Sequence, residues 1–312
     1  MIKVIKVESK KNIKDFVMFP FELYKGCEYW VPPIINEEID AMDTDKNPVF
    51  KNAEAEFYLA YKDNKIVGRI AAIVNWVEIE EQKKNKLRFG WYDTIDDIDV
   101  SKALMEKVLE FGKSRKLEFV DGPVGFSNMD KAGLLIEGYD ELNTMITWYH
   151  YPYQKEHLNK LGFSKLAEWV EYKIKIFSAE EAPEKVKKFS KIIQKRYNLK
   201  VVNFKSTKEI IPYVDKMFEL LNVTYSNLQT YVTIKQYQID FYKEKFIKYI
   251  HPDFIKCCLD ENDNLIAFLI TMPSFSRALK KINGKIGLMG YFHLFKAQHF
   301  NDRVSLYLIG VD

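Results

Sequence analysis

Apolar and polar residues alternate from the first positions of the chain: Ile2, Val4, Ile5 and Val7 sit among lysines and predict a strand over residues 2–7. Residues 11–24 carry a helical pattern interrupted at Pro20. Beyond Trp30, Pro32 and Pro33 fix an extended entry, residues 34–42 leave room for one or two helical turns, and Pro48 ends the segment. Two β-rich runs, 56–61 and 66–76, flank the polar turn Asp63-Asn64-Lys65 and predict an antiparallel hairpin. A short strand over 87–92 precedes a helix over 99–116, whose apolar stripe is Leu104, Val108 and Phe111 with Met105 beside it. Residues 153–160 form a polar, helix-compatible run that carries Leu158 and Leu161 on one side. The run stops at Gly162, which takes a left-handed cap without a Cβ penalty. From Phe163 through Leu166, Trp169 and Val170 to Tyr172, Ile174 and Ile176, the pattern becomes a two-residue alternation with Lys173 and Lys175, which predicts a long strand.

The acidic break at 178–183 is the expected domain boundary. A helix over 184–199 follows, with Val186, Phe189, Ile193 and Tyr197 predicted inward. Lys185, Lys187, Lys188, Lys191, Lys195 and Arg196 lie outward or at the flanks, and such a lysine face reads as solvated before it reads as RNA-binding. Residues 201–204 then read as a strand, 207–228 and 234–249 as helices, and 254–259 with 265–272 as a hairpin around 260–264. The run Ile-Ala-Phe-Leu-Ile from Ile266 echoes Ile-Ala-Ala-Ile-Val from Ile70. Arg277, Lys280, Lys281 and Lys285 are expected in a loop, where lysines usually face water. Residues 303–311 alternate Val304, Leu306 and Leu308 with Ser305, Tyr307 and Ile309 as a last strand. Strand, two helices, hairpin and strand repeat the order of the first half.

At 312 residues and 47% hydrophobic the chain has room for two cores, so two domains of about 150 residues are expected, over 1–177 and 180–312. Lys and Arg number 47 against 44 Asp and Glu, and the resulting +3 does not call for nucleic acid as a partner. The longest apolar runs, 70–74 and 266–272, fall far short of the ~20 residues that cross a bilayer, so no membrane partner is expected. Residues 1–11 lack the continuous apolar core of a signal peptide. Cys27, Cys257 and Cys258 form no metal spacing and fit a reduced, cytoplasmic setting. The five histidines make no helical ligand pair, and neither a nucleophile elbow nor a phosphate-binding loop motif is present, so no metal site is expected.

The short helix, the Leu161-Gly162-Phe163 corner and the strand after it resemble the closing unit of the GNAT N-acetyltransferase superfamily. The repeated element order extends that resemblance over the whole chain. It implies a mixed α/β protein of two GNAT-like domains, the second stopping at residue 312 before the pyrophosphate loop and helix that would close its sheet. In the family, the turn from the fourth strand into its helix binds the pyrophosphate of acetyl-CoA through a glycine-rich loop at the positive helix end. Here the corresponding turn in the first half, residues 93–101, holds Asp93, Asp96, Asp97 and Asp99 and no glycine. At ~6 Å and an effective dielectric of ~20, each carboxylate–phosphate charge pair costs roughly 3 kcal/mol before screening. Leu158 stands where many family members have the tyrosine that protonates the departing thiolate, and leucine donates no proton. The first domain is therefore expected to be degenerate for CoA binding.

For the second half the resemblance implies acyl transfer from acetyl-CoA or another acyl-CoA to a small-molecule or peptide amine. The backbone of Leu308, Ile309, Gly310 and Val311 would supply the cofactor-binding groups, and no residue stands out as catalytic. In the first half, Ser127, Asn128, Glu137, Tyr149 and Tyr153 lie among polar and aromatic residues at strand ends and are the candidate substrate pocket. Gly122-Pro123 and Gly125 read equally well as turn punctuation. Trp30 reads as a cleft wall or as a ring tucked under a loop, and Arg69 as an anion clamp or as a surface or loop-tethering arginine. The competing reading of the whole protein is a non-catalytic GNAT-fold binding module for a small metabolite or peptide. Acceptor, acyl group and oligomeric state stay open.

Overall fold

The computed structural model describes residues 1–176, 178, 180–246 and 250–312. In chain order the elements are β1 (Ile2–Lys6), α1 (Lys10–Leu23), α2 (Ile35–Met42), β2 (Ala53–Lys62), β3 (Lys65–Asn75), α3 (Trp76–Glu80), β4 (Lys86–Thr94), α4 (Ile98–Ser114), β5 (Phe119–Asp121) and α5 (Pro152–Lys160). They continue with α6 (Glu184–Arg196), β6 (Lys200–Asn203), α7 (Thr207–Thr224), α8 (Gln236–Phe246), β7 (Ile255–Leu259), β8 (Leu265–Pro273), α9 (Ser276–Ile282), α10 (Leu288–His299) and β9 (Val304–Val311). Two compact units result. Unit 1 takes residues 1–168, 230–233 and 274–301; unit 2 takes 169–229, 234–273 and 302–312. Compactness thus divides the chain differently from a single break near residue 180, because two pieces of the second half count with the first.

In unit 1 the sheet order is β1-β2-β3-β4-β5, antiparallel except for the parallel β4–β5 pair. Asp63 and Asn64 join β2 to β3 with φ of 50° and 62°, the left-handed geometry that two-residue hairpins need and that Asp and Asn tolerate. Helices cover both faces of the central strands. Ile70, Ala72, Leu87 and Phe89 pack with Leu104, Met105 and Val108 of α4, while Phe57, Leu59, Ala71 and Ile73 pack with Phe16 and Val17 of α1. Burial on both faces explains why β3 reads as a continuous apolar run and not as an alternation. A Cβ on Gly68 would meet Leu104 at 2.8 Å, so the glycine allows α4 to lie close on the sheet. Pro20 stays inside α1 without ending it.

In unit 2 the order β6-β7-β8-β9 is antiparallel throughout and repeats the order of the first four strands of unit 1. Ile210, Val214, Met217 and Leu221 of α7 bury one face of this sheet against Ile255, Cys257 and Phe268. The architecture is mixed α/β with two sheets.

Several sequence expectations need correction. Residues 164–176 form no strand: Phe163 anchors on the Phe89 ring, 5.6 Å between centroids, but Trp169, Tyr172, Ile174 and Ile176 beyond it are exposed. Alternation specifies a face, whereas a strand also needs a neighbour for its backbone, and none pairs with it among the described residues. The stripe of α6 predicted inward is likewise exposed. Helix α7 stops at Thr224, and the expected end of the next helix at 247–249, like Phe177, lies outside the described residues. Arg277, Lys280 and Lys281 lie on α9 and not in a loop. The three-residue β5 is too short for any periodicity to announce it.

Candidate functional site

The antiparallel register of β3 and β4 places Arg69 opposite Asp93. Arg69 Nε donates to Asp93 Oδ2 at 2.7 Å and one guanidinium NH to the Phe16 carbonyl at 3.0 Å, so the arginine is a buried tether and not a surface clamp. The Tyr24 hydroxyl, at the end of α1, donates to Asp93 Oδ1 at 2.6 Å and lies 2.9 Å from the Tyr149 carbonyl. Burial, with Asp93 beside it, pushes the Tyr24 phenol well above its ordinary range. Trp30 stacks on Tyr24 with centroids 5.3 Å apart, which makes it a wall of the pocket over this network. Glu38, Lys131, Trp148 and Tyr149 also line it. Glu38 is held by the Trp91 indole at 2.8 Å, and burial lowers the Lys131 ammonium pKa, opposed in part by Glu38. The cavity is about 20 Å³, the space of roughly one water, so a metabolite enters only if the aromatic walls separate.

The edge of β4 is the second feature. Its pairing with β5 ends at Arg88–Asp121, and Val124 N bonds the Phe89 carbonyl at 2.8 Å as a last link. Beyond it α5 takes over: Gln154 donates to the Tyr92 carbonyl at 3.2 Å and the Tyr153 hydroxyl to the Thr94 carbonyl at 2.7 Å. Side chains of the same unit thus occupy two backbone acceptors at this edge.

The acidic turn is partly neutralised. Asp93 is paired with Arg69, while Asp97 caps α4 through Asp99 N and meets Lys62 at 2.8 Å, a contact that lowers its carboxyl pKa. Asp96 and Asp99 remain exposed, so two carboxylates rather than four face an approaching diphosphate. Asp96, His157 and Ser101 also follow one another at 3.3 Å and 2.9 Å, with the Tyr92 hydroxyl donating to Ser101 Oγ at 2.8 Å. Ser101 is fully buried, so this chain ties α4 to α5 and offers no reachable nucleophile.

Of the five residues predicted for the substrate pocket, Tyr149 lines the cavity and Tyr153 sits at the β4 edge. Ser127 is buried and bonds the Asp130 carboxylate through its backbone N–H at 2.9 Å, Asn128 donates to the Val232 carbonyl at 3.3 Å, and Glu137 is exposed. The structure does not bring these three to the pocket. The predicted cofactor strand is β9, where Ile309 O accepts from the Tyr225 hydroxyl at 2.9 Å. A Cβ on Gly310 would meet the Phe268 ring at 2.6 Å, which gives that glycine a packing role of its own. Lys131 and Trp148 carry no sequence signal for the pocket, and Arg69, singled out in the sequence without being assigned to it, lies in its lining.

Unit 1 buries a second charged cluster away from the pocket. Arg88 makes two bonds to Glu78, at 2.6 and 2.7 Å, and donates to the carbonyls of Gly125 and Thr230; Lys86 bridges Glu78 and Asp121 at 3.0 and 2.7 Å. Among the described residues no group of His, Cys, Asp and Glu could hold a metal ion, and no helix is long and apolar enough to cross a membrane.

No family model matches the chain. It is similar to Protein YghO of Escherichia coli (strain K12), 26% identical over 290 residues that cover 92% of this chain and 72% of that protein. It is also similar to the bacterial ceramide synthase of Caulobacter vibrioides, 26% identical over 174 residues, 55% of this chain and 45% of that one. Among solved structures, a tandem GNAT protein from the clavulanic acid biosynthesis pathway aligns with 87% of this chain and 74% of its own at a TM-score of 0.41 and 8% identity. A protein described as a predicted acetyltransferase, with acetyl-CoA, from Clostridium acetobutylicum aligns with 55% of this chain and 96% of its own, at a TM-score of 0.35 and 14% identity.

Proposed function

On a GNAT-type fold, we propose that this protein transfers an acyl group from acetyl-CoA or another acyl-CoA to the nitrogen of a small-molecule or peptide amine, with the transfer at β9 of unit 2. The reading is carried by the difference between the two fourth strands. At β4, Gln154 and Tyr153 bond the carbonyls of Tyr92 and Thr94, and Asp96 and Asp99 stand exposed at the turn beyond. At β9, pairing runs along β8 alone among the described residues, and Tyr225 meets the backbone at Ile309. The backbone of residues 308–311 would hold the cofactor's amide arm and polarise the thioester carbonyl for attack by the neutral amine, with the C–S bond breaking as the amide forms. The name of one relative, a ceramide synthase, denotes formation of an N-acyl bond, so a long-chain amino alcohol belongs in the acceptor panel.

Thermal melts of the protein with acetyl-CoA and with a long-chain acyl-CoA, followed by thiol release in the presence of an amine panel, test this. A bound acyl-CoA stabilises by ~2.7 kcal/mol at a hundredfold excess over its dissociation constant. The absence of both a shift and thiol release overturns the reading. A second reading, a non-catalytic binding module, is favoured by the aromatic cavity that holds Lys131 and Glu38 over the Arg69–Asp93 pair. A melt shifted by an amino metabolite and not by any acyl-CoA would support it.

A further inference from the structure

Helix α6 is amphipathic and none of its residues is buried. Val186, Phe189, Ile193 and Tyr197 fall at spacings of three and four residues along one stripe, and each is 47–57% exposed. The remaining faces carry Lys185, Lys187, Lys188, Lys191, Lys195 and Arg196 against the single acid Glu184. A helix on a globular core buries such a stripe. Here no described residue covers it.

We propose that α6 docks in the plane of an anionic lipid bilayer surface. Charge decides between the possible occupants. Lys187 meets Glu184 at 3.0 Å, and a neutral apolar groove on a protein would satisfy the stripe while offering no anion to the other five cations. Anionic headgroups satisfy both, with the stripe at the acyl boundary and the cations among the phosphates. The side-chain chemistry suits that interface. Lys185 Nζ lies 5.9 Å from the Phe189 ring centroid and the Arg196 guanidinium carbon 5.5 Å from that of Tyr197, so cations border the aromatic stripe directly. Tyrosine rings such as that of Tyr197 concentrate at the headgroup level. At 1.5 Å per residue the helix is about 20 Å long, too short to span and suited to lying flat. Trp169, Tyr172 and Ile174 in the segment before it are exposed as well. Surface docking is a different matter from the absent spanning helix, and it does not depend on the acyl-transfer reading.

The test is co-sedimentation of the full chain with vesicles of phosphatidylcholine alone and with phosphatidylglycerol added, at low and high salt. Binding is expected to the anionic vesicles, weakening with salt. The variant Lys188→Glu/Lys191→Glu/Lys195→Glu should lower the partition about a hundredfold or more. Phe189→Ser/Ile193→Ser should abolish it at unchanged melting temperature, since the stripe is exposed in the folded chain. Phe189→Trp should show a blue-shifted emission with anionic vesicles only. Failure of the native chain to bind anionic vesicles at low salt overturns the proposal. So does a dimer that Phe189→Ser/Ile193→Ser dissociates, which would make the stripe an interface between copies. Salt-sensitive binding to a single-stranded RNA that ignores the Phe189→Ser/Ile193→Ser change, without vesicle binding, overturns it too.

Discussion

Arg69 Nε and Asp93 Oδ2 lie 2.7 Å apart with both side chains buried, and this pair removes one carboxylate from the acidic turn to build the floor of the unit 1 cavity. A charge pair out of water is held by mutual attraction and by its other bonds, here to the Phe16 carbonyl and the Tyr24 hydroxyl. The two partners are therefore far from independent. Arg69→Met should cost about 3–5 kcal/mol in urea unfolding because it leaves Asp93 charged and buried, while Arg69→Met with Asp93→Leu should recover most of the loss. Equal costs for the single and double variants would show that the attraction contributes little.

Tyr153→Phe removes the donor at the Thr94 carbonyl, a fully buried residue. The expected loss is about 1–3 kcal/mol of stability, the penalty of an unsatisfied buried acceptor. The acyl-CoA melt shift should stay as in the native chain, because the transfer site is assigned to β9. A variant that instead gains affinity for acetyl-CoA would move the cofactor site to β4.

His150 gives the protein a pH dependence with a fixed sign. Burial holds its imidazole pKa down at about 4, with Lys131 and Arg69 acting the same way and Asp93 opposing them. The unfolded chain protonates this residue near 6.5 while the folded chain does not, so the unfolded state binds more protons between pH 6.5 and 4. Stability is therefore fully present above about 6.5 and falls as pH drops towards 4, by roughly 3 kcal/mol across the window. Urea titrations at pH 7, 6 and 5 measure the slope, and a His150→Gln variant should flatten it. An unchanged slope would assign the dependence to other groups.

Gly310→Ala places a methyl group against the Phe268 ring, 2.6 Å from its nearest carbon. Overpacking of this kind should cost about 1–3 kcal/mol in unit 2. Thermal melts followed by near-ultraviolet circular dichroism report the loss. An unchanged melt would mean that the ring moves aside freely.

The hairpins, the α4 stripe, the Leu161-Gly162-Phe163 corner and the repeated strand order were all legible in the residues, because local periodicity and turn chemistry set them. Asp63-Asn64 announces its turn, and the continuous run from Ile70 announces a strand buried on both faces. The candidate site was legible only in part. Arg69 stood out in the residues, but its partner lies on another strand. Whether Asp93 faces solvent or a guanidinium is set by the register of β4 on β3, which no single segment encodes. Tyr149 reaches the cavity, while Ser127, Asn128 and Glu137 do not, because the 122–151 loop folds on its own bonds, such as Asn143 to Thr147 and Ser127 to Asp130. The same distinction governs the two apolar patterns that stay uncovered. The alternation over 163–176 and the stripe of α6 are properties of the sequence, but a strand or a buried face exists only where another surface meets it. Among the described residues the tertiary structure supplies none.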